Sequence, residues 1–390
     1  MKIAVIVESI EAWRGGAETS TLELAELLAG RGHDVHVVTS SRRPSTPVLT
    51  IHHLPVSHPL RPLRTGAFLR KAAAFVRAHE FDIVHSIAPL PGADVYQPRG
   101  GSLRETLERN VALRATPGRR LFKRATSALN LKYRELLRLE RQACGAGGPI
   151  IAAVSNYVAE QFRRYYGIGP PRVRVIFNGV RSEPAPPRQR EDDRRSLREQ
   201  YAIGADTLVL LCVAHNFRLK GVPRVIDALA RLAARELRDV RAIIIGRDDP
   251  VPVQRQAERL GVANRLIFVG SSPRVAAYLH AADVCVHPTY YDPCSRVVLE
   301  ALAQGVPTIT TRQNGAAEII HDGGSGYVLD SADDVAGLTE RIARLADPVA
   351  RAAMAAEAAL LAPRVRMSRH VEELEALFGE LRDNRRSTEA

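Results

Sequence analysis

Two doubly wound α/β domains of similar size are predicted for this chain, on three observations. Its 390 residues exceed one ordinary α/β domain. Short apolar runs alternate with helical stretches along most of its length, the pattern of a parallel sheet covered on both faces. A stretch rich in proline and charge, RSEPAPPRQREDDR over 181–194, divides the chain. The expected boundaries are an N-terminal domain over 1–180 with a basic helical insertion at about 102–142, a linker over 181–194, a C-terminal domain over 195–365, and a closing helix and tail over 366–390.

The elements follow in order. KIAVIVE, the glycine turn WRGGAE, the apolar-periodic TSTLELAELLAGRG and DVHVVTS spell strand, turn, helix and strand, which is a βαβ opening. VLTIHHL, a helix over roughly 64–79 and FDIVHS continue it. From Ser102 to Gln142 the pattern turns helical, broken at Thr116-Pro117-Gly118, before the strands PIIAAVS and RVRVIFN. The second half carries strands at LVLLCVA, RAIIIG, RLIFVG, DVCVHPT and PTITT, each followed by a helix, then amphipathic helices from Ser331 to Arg382 and a polar tail.

Composition narrows the class. Hydrophobic residues at 45% and charged residues at 25% exclude a mostly disordered chain. No apolar run reaches the roughly 18 to 20 residues that span a bilayer, and MKIAVIVESI has neither a basic leader nor a cleavage site, so a cytoplasmic location is expected. Cys144, Cys212, Cys285 and Cys294 lie far apart without CxxC spacing, as free thiols do. A net charge of +12 favours anionic partners.

Three segments carry candidate chemistry. In HPTYYDPCSRVVLEALAQGVPTITTRQNGAAEII (287–320) a strand ends, a loop crosses the sheet edge and a helix begins near Ser295. Ligands of open α/β sheets bind at such carboxyl ends. Backbone N–H groups of Cys294, Ser295 and Arg296, after Asp292-Pro293, are placed to receive a diphosphate. Glu300 suits the paired hydroxyls of a ribose, and Asp292 the hydroxyls of a transferred sugar. In AHNFRLKG, Arg218 and Lys220 precede a helix and can neutralise a departing diphosphate without a metal ion, with Asn216 in the same loop; no DxD pair occupies a suitable loop. Gly15-Gly16 at the first strand-to-helix turn let a ligand approach the backbone, although GxGxxG is absent, which disfavours a dinucleotide-dependent oxidoreductase.

These segments, in this order, resemble family 4 of the retaining glycosyltransferases. The resemblance implies the GT-B fold, two Rossmann-like domains facing across a cleft. Asp292 to Glu300 matches the spacing of the family's Glu-x7-Glu motif, with aspartate in the first place. Lys220-Gly221 matches its phosphate loop, Gly15-Gly16 its N-terminal glycine loop, Asn178-Gly179-Val180 the turn leaving its first domain, and Gly315 to Glu318 the element after its donor helix. PLPGADVYQPRGG is similar to the lipopolysaccharide-core glucosyltransferase type, which implies an active-site role for Asp94; His85 is a second candidate, since other members use a histidine near this strand's end.

From Arg99 to Arg141 twelve lysines and arginines face four glutamates, with apolar positions between them. Such helices lie in anionic headgroups, and the same glucosyltransferase type attaches to membrane there. The expected function is therefore a metal-independent retaining hexosyltransferase using a nucleotide sugar, with UDP as the nucleotide, and a glycan or glycolipid acceptor of lipopolysaccharide or other envelope polysaccharide synthesis. The catalytic set is Asp94, Lys220 and Arg218. The donor set is Gly15, Gly16, Asn216, Lys220, Asp292, Pro293, Cys294, Ser295 and Glu300. No metal or cofactor beyond the co-substrate is expected, and the protein would sit on the inner face of the cell membrane. A GT-B nucleotide-sugar epimerase is one alternative. A basic nucleic-acid-binding protein is the other, disfavoured because aromatic interleaving is absent.

Overall fold

The computed structural model describes all residues except 12–14, 44, 59, 115, 236, 238 and 390. Trp13 and Arg14 of the expected glycine turn therefore lie outside the described residues. The chain forms two units, Met1–Gly179 with Met367–Ala390, and Val180–Arg366.

The first unit contains β1 (Lys2–Ile6), α1 (Gly16–Gly30), β2 (Asp34–Thr39), β3 (Thr50–His53), α2 (Arg64–Ala78), β4 (Ile83–Ser86), β5 (Val95–Tyr96), α3 (Leu103–Ala112), α4 (Pro117–Leu129), α5 (Leu131–Ala143), β6 (Ile150–Ala153), α6 (Asn156–Tyr166) and β7 (Val173–Val175). Its strands pair in the order β3-β2-β1-β4-β5-β6-β7, all parallel. Alternation along β1 sends Ile3 and Val5 into one buried layer and Ala4 and Ile6 into the other, as a sheet covered on both faces requires.

The second unit contains α7 (Pro187–Gln200), β8 (Leu208–Val213), α8 (Val222–Ala234), β9 (Val240–Ile245), α9 (Val251–Arg259), β10 (Leu266–Gly270), α10 (Val275–Ala281), β11 (Val284–His287), α11 (Arg296–Ala303), β12 (Thr308–Thr311), β13 (Gly326–Leu329), α12 (Val335–Arg344) and α13 (Pro348–Ala359). Its parallel sheet runs β10-β9-β8-β11-β12-β13, the Rossmann order. Leu208, Leu210 and Cys212 face one core, Val209 and Leu211 the other. All four cysteines are buried free thiols.

Several expectations are corrected. Residues 187–194 of the supposed linker belong to α7. Its inner face joins a single core leucine, Leu197, to arginines, so no apolar periodicity marked it: Arg194 and Arg198 donate to the Asp283 carboxylate at 2.8 and 2.7 Å. The closing helix, α14 (Met367–Glu389), is not a piece apart but packs into the first unit, where Val371, Leu374, Leu377 and Phe378 join the core beside Leu24 and Leu28 of α1. It runs to Glu389, so the polar tail is helical. The insertion breaks a second time at Asn130, whose side chain accepts from Lys132 and Tyr133 N–H groups and caps α5. The two-residue strand β5 and the strand β13 were not expected.

Within the insertion α5 is anchored and α4 is not. Leu136 and Leu139 enter the core, and the buried Glu140 accepts from the hydroxyls of Tyr96 and Tyr166 at 3.2 and 2.5 Å. No residue of α4 is buried, and Leu121, Phe122 and Leu129 are 70%, 71% and 76% exposed.

Candidate functional site

In the second unit the strand order reverses between β8 and β11, the switch point where open α/β sheets take their ligands. Two loops leave the sheet there. After β8, the Asn216 side chain accepts from Leu219 N–H and its carbonyl from Lys220 N–H, each at 2.9 Å, closing a turn. Gly221 ends it with φ +75°, and a Cβ there would stand 2.0 Å from the Pro288 carbonyl oxygen. Only glycine allows that approach. After β11, Tyr290 N–H bonds the Leu219 carbonyl at 2.9 Å and the Thr289 hydroxyl donates to the same oxygen at 3.1 Å, joining one loop to the other.

Lys220 Nζ lies 2.6 Å from Asp292 Oδ2 and 3.1 Å from the Tyr291 carbonyl. His287 Nε2 is 3.2 Å from the same Asp292 oxygen and 3.4 Å from Ser295 Oγ. Burial pushes the Asp292 carboxyl up, but the Lys220 ammonium and the His287 contact outweigh it, so the group is held well below the usual carboxylate range. Burial lowers His287, which stays neutral and donates from Nε2 while Asp292 partly opposes the shift. The result is a cation fixed at the edge of a switch point by a carboxylate that cannot easily protonate.

The helix after this loop carries the remaining candidates. Ser295 precedes α11, and its N–H is already bound to Asn314 Oδ1 at 3.0 Å, so it is not available to a diphosphate as expected. Asn314 also accepts from Ala316 N–H at 3.0 Å and donates to Thr310 Oγ1 at 3.0 Å, which fixes the loop between β12 and the turn at Gly315–Ile319. Glu300 sits one turn into α11 with its carboxylate 3.0 Å from Arg296 Nη2. Cys294 is buried, and Arg218 lies exposed in the loop before Lys220. The sequence singled out neither His287 nor Asn314: one is the end of a strand, the other precedes a turn, and their partners come from separate segments.

In the first unit the corresponding reversal lies between β1 and β4. Gly15 and Gly16 stand at the start of α1, with Gly15 extended (φ 168°) and Gly16 helical, so neither is required by a left-handed conformation. His85 lies on β4, fully buried, edge-on to Phe378 at 5.6 Å, with neither ring nitrogen hydrogen-bonded among the described residues. Burial, and then the Arg99 charge, push its pKa down to about 3. Past the carboxyl end of β5, Gln97 Nε2 lies 3.3 Å from His370 Nε2, and Arg99 Nη1 3.4 Å from Asn178 Oδ1. His370 donates from Nδ1 to the Phe177 carbonyl at 2.8 Å and is held neutral by burial. Its position on α14, far along the chain, gave no local signal.

Asp94 is a correction. Its Oδ2 accepts from Val84 N–H at 2.7 Å and its other oxygen pairs with Arg385. Asp94 precedes β5 and Val84 is near the start of β4, so the carboxylate lies at the amino edge of the sheet, away from the carboxyl ends where ligands bind. Asp82 does the same for Lys2 N–H at 2.7 Å, and Asp283 for Val209 N–H at 2.7 Å. All three aspartates satisfy an N–H in the first two residues of a neighbouring strand.

The family described as Glycosyltransferase Family 4 matches residues 14–183, and the family described as Glycosyl transferases group 1 matches residues 193–360. The lipopolysaccharide glucosyltransferase WaaG of Escherichia coli is 27% identical over 318 residues, 81% of this chain and 82% of that one. The D-inositol 3-phosphate glycosyltransferase of Acidothermus cellulolyticus is 27% identical over 420 residues, 96% of this chain and 87% of its own. The crystal structure of WaaG superposes with a TM-score of 0.79 at 24% identity, covering 96% of this chain and 99% of that one. That of Anabaena HepE in complex with UDP-glucose gives 0.74 at 20% identity, covering 97% and 100%. Both share the GT-B fold of two Rossmann-like units.

Proposed function

This chain belongs to glycosyltransferase family 4, and from that membership we propose that it transfers a sugar from a UDP-sugar to a hydroxyl of an envelope glycan or glycolipid, with retention and without a metal ion. The observation that carries this proposal is the Lys220–Asp292 pair at the switch point of the second unit. A cation held there by an ionised carboxylate is preorganised for the charge that develops on a leaving diphosphate. Arg218 in the same loop supplies a second positive charge, and Glu300 takes the ribose hydroxyls, a contact two carboxylate oxygens can make at once. Asp292 acts through Lys220, as its positioning residue. In a retaining transfer the acceptor oxygen bonds to the anomeric carbon on the face the phosphate leaves, the carbon–phosphate oxygen bond breaks, and a diphosphate oxygen takes the hydroxyl proton. Support for UDP comes from HepE, captured with UDP-glucose, and for an envelope acceptor from WaaG, a lipopolysaccharide glucosyltransferase.

The insertion fits attachment to a membrane surface. α4 presents Leu121, Phe122 and Leu129 together with Arg119, Arg120, Lys123 and Arg124, and buries nothing in its own unit. A helix of that composition gains by laying its apolar residues among anionic headgroups. No helix among the described residues is long and apolar enough to cross a membrane.

The test is a nucleotide-sugar panel. A saturating donor raises the melting temperature by mass action, and turnover with envelope glycan acceptors identifies the pair. Products formed with no acceptor present distinguish transfer from epimerisation, since an epimerase yields an isomeric nucleotide sugar. A chain that no nucleotide sugar stabilises contradicts the proposal.

A further inference from the structure

A cavity of about 370 Å³ opens in the second unit at the amino ends of β11 and β12, the end of the sheet opposite the Lys220–Asp292 pair. Asp283 leads into β11, Gly305, Val306 and Pro307 lead into β12, and α7 and α13 close the sides. We propose that this cavity is a second ligand site, separate from the donor site, and that it takes an organic monoanion with an apolar body, of which a medium-chain carboxylate is the simplest.

The charges set the sign of the ligand. Four guanidinium groups stand in the wall or directly behind it, Arg190, Arg194, Arg351 and the buried Arg198, against two carboxylates, Asp283 and the exposed Glu191. Asp283 is buried and already engaged: Oδ1 accepts from Arg194 Nη2 at 2.8 Å, and Oδ2 from Arg198 Nη2 and Val209 N–H, each at 2.7 Å. Arg351 Nε stays 3.9 Å from Oδ1, while its Nη1 donates to the Leu345 and Ala346 carbonyls at 2.6 and 3.3 Å. Arg190 donates to the Gln304 carbonyl at 2.8 Å and has no ion pair among the described residues. Burial lowers the Arg198 pKa, Asp283 opposes the shift, and the Arg194 and Arg351 charges add to it, as happens where cations outnumber their counterions. Partly buried guanidinium groups without a full set of carboxylates attract an anion, which they hold in charge-assisted hydrogen bonds.

The rest of the wall sets the body. Leu279, Val306 and Pro307 are buried on one side, Pro348, Ala352 and Ala355 line the α13 side, and none of these carries a polar side-chain atom. An inorganic anion would leave this surface in water, whereas a neutral apolar molecule would leave Arg190 and Arg351 unanswered. A molecule with a charged head and an apolar body uses both parts, and the volume lies within the range of small-molecule sites. β11 separates the cavity from the donor loops, with Asp283 before its first residue and His287, the partner of Asp292, as its last. A ligand in the cavity therefore leaves those loops open.

Calorimetric titration of the full chain tests this with octanoate, octan-1-ol and acetate as probes, each with and without saturating UDP. Octanoate should bind saturably, tighter than either other probe, and UDP should not displace it. Arg190→Gln with Arg351→Gln should weaken octanoate about tenfold or more. Ala355→Leu, which fills the cavity and keeps every charge, should weaken it to a similar extent with the melting temperature unchanged or raised, and this holds the proposal open to test even if the arginine variant folds poorly. Four results overturn it: no octanoate binding to the wild type, octan-1-ol or acetate bound as tightly as octanoate, displacement by UDP, or wild-type affinity in either variant that folds. None of the probes is a sugar or a nucleotide, so the outcome is independent of the transferase reading.

Discussion

Lys220 Nζ and Asp292 Oδ2 are 2.6 Å apart, one from the loop after β8 and the other from the loop after β11. The contact closes the switch point of the second unit and gives each residue a fixed charge. It also explains why the two loops are stitched by Tyr290 and Thr289: the pair needs both backbones held at once.

Lys220→Ala should remove transfer and also destabilise the chain, because it leaves an ionised, largely buried carboxylate without its cation. About 2 kcal/mol of stability is expected to go, less than the roughly 3 to 5 kcal/mol for a fully buried pair, because both side chains keep some exposure. Lys220→Met with Asp292→Asn should recover most of that stability in urea unfolding and none of the turnover. Full stability in Lys220→Ala would contradict the geometry, and full turnover the role.

Glu300→Ala should raise the donor KM with little change in kcat, since a ribose contact binds substrate and transition state alike. A wild-type donor KM would count against the ribose assignment.

Asp94→Ala should cost about 1 to 3 kcal/mol of stability, the range for an unsatisfied buried donor such as Val84 N–H, while kcat stays at the wild-type value. A large fall in kcat in a variant of near-normal stability would return Asp94 to the chemistry.

Stability should fall as the pH drops below about 6.5. His85, His287 and His370 are buried with folded pKa values below the roughly 6.5 of an unfolded histidine. The unfolded chain then binds protons that the folded chain does not, so their contribution is complete above that value and is lost on acidification toward the folded pKa. Each contributes up to about 1.4 kcal/mol per pH unit in that window. Asp292, whose folded pKa is depressed, adds a loss of the same sign only below about pH 4. Urea midpoints at pH 7, 6 and 5 measure it, and a flat profile would contradict the neutral histidines.

Leu121→Ser with Phe122→Ser should weaken binding to vesicles of anionic phospholipid without changing the melting temperature, because neither side chain is buried. Arg119→Gln with Lys123→Gln should weaken it by about 2 kcal/mol and flatten its salt dependence. Cosedimentation with anionic and zwitterionic vesicles reads both, and equal binding of wild type and variants would remove α4 from the membrane contact.

The two doubly wound sheets were legible because buried strands write themselves as short apolar runs, and β1 and β8 are such runs. β5 was not, since two residues carry no period, and α7 was not, since its buried face holds one leucine, Leu197, beside arginines answered by Asp283. Lys220, Asp292 and Glu300 could be named from the loops and helix they occupy. His287 could not, because a histidine ending a buried strand looks like any core residue until its neighbour is known.

The sequence by itself determined which segments form strands and helices, where the candidate loops leave the sheet, and that α4 would be basic and apolar at once. Those properties depend on residues close together in the chain. Only the tertiary structure decided that Asp292 serves Lys220, that Asn314 takes the Ser295 N–H, that Asp94 faces the amino edge of its sheet, and that α14 completes the first unit. Each of these depends on a partner brought near by strand order or packing, and hydrogen bonds and ion pairs act over a few ångströms of space whatever the separation along the chain.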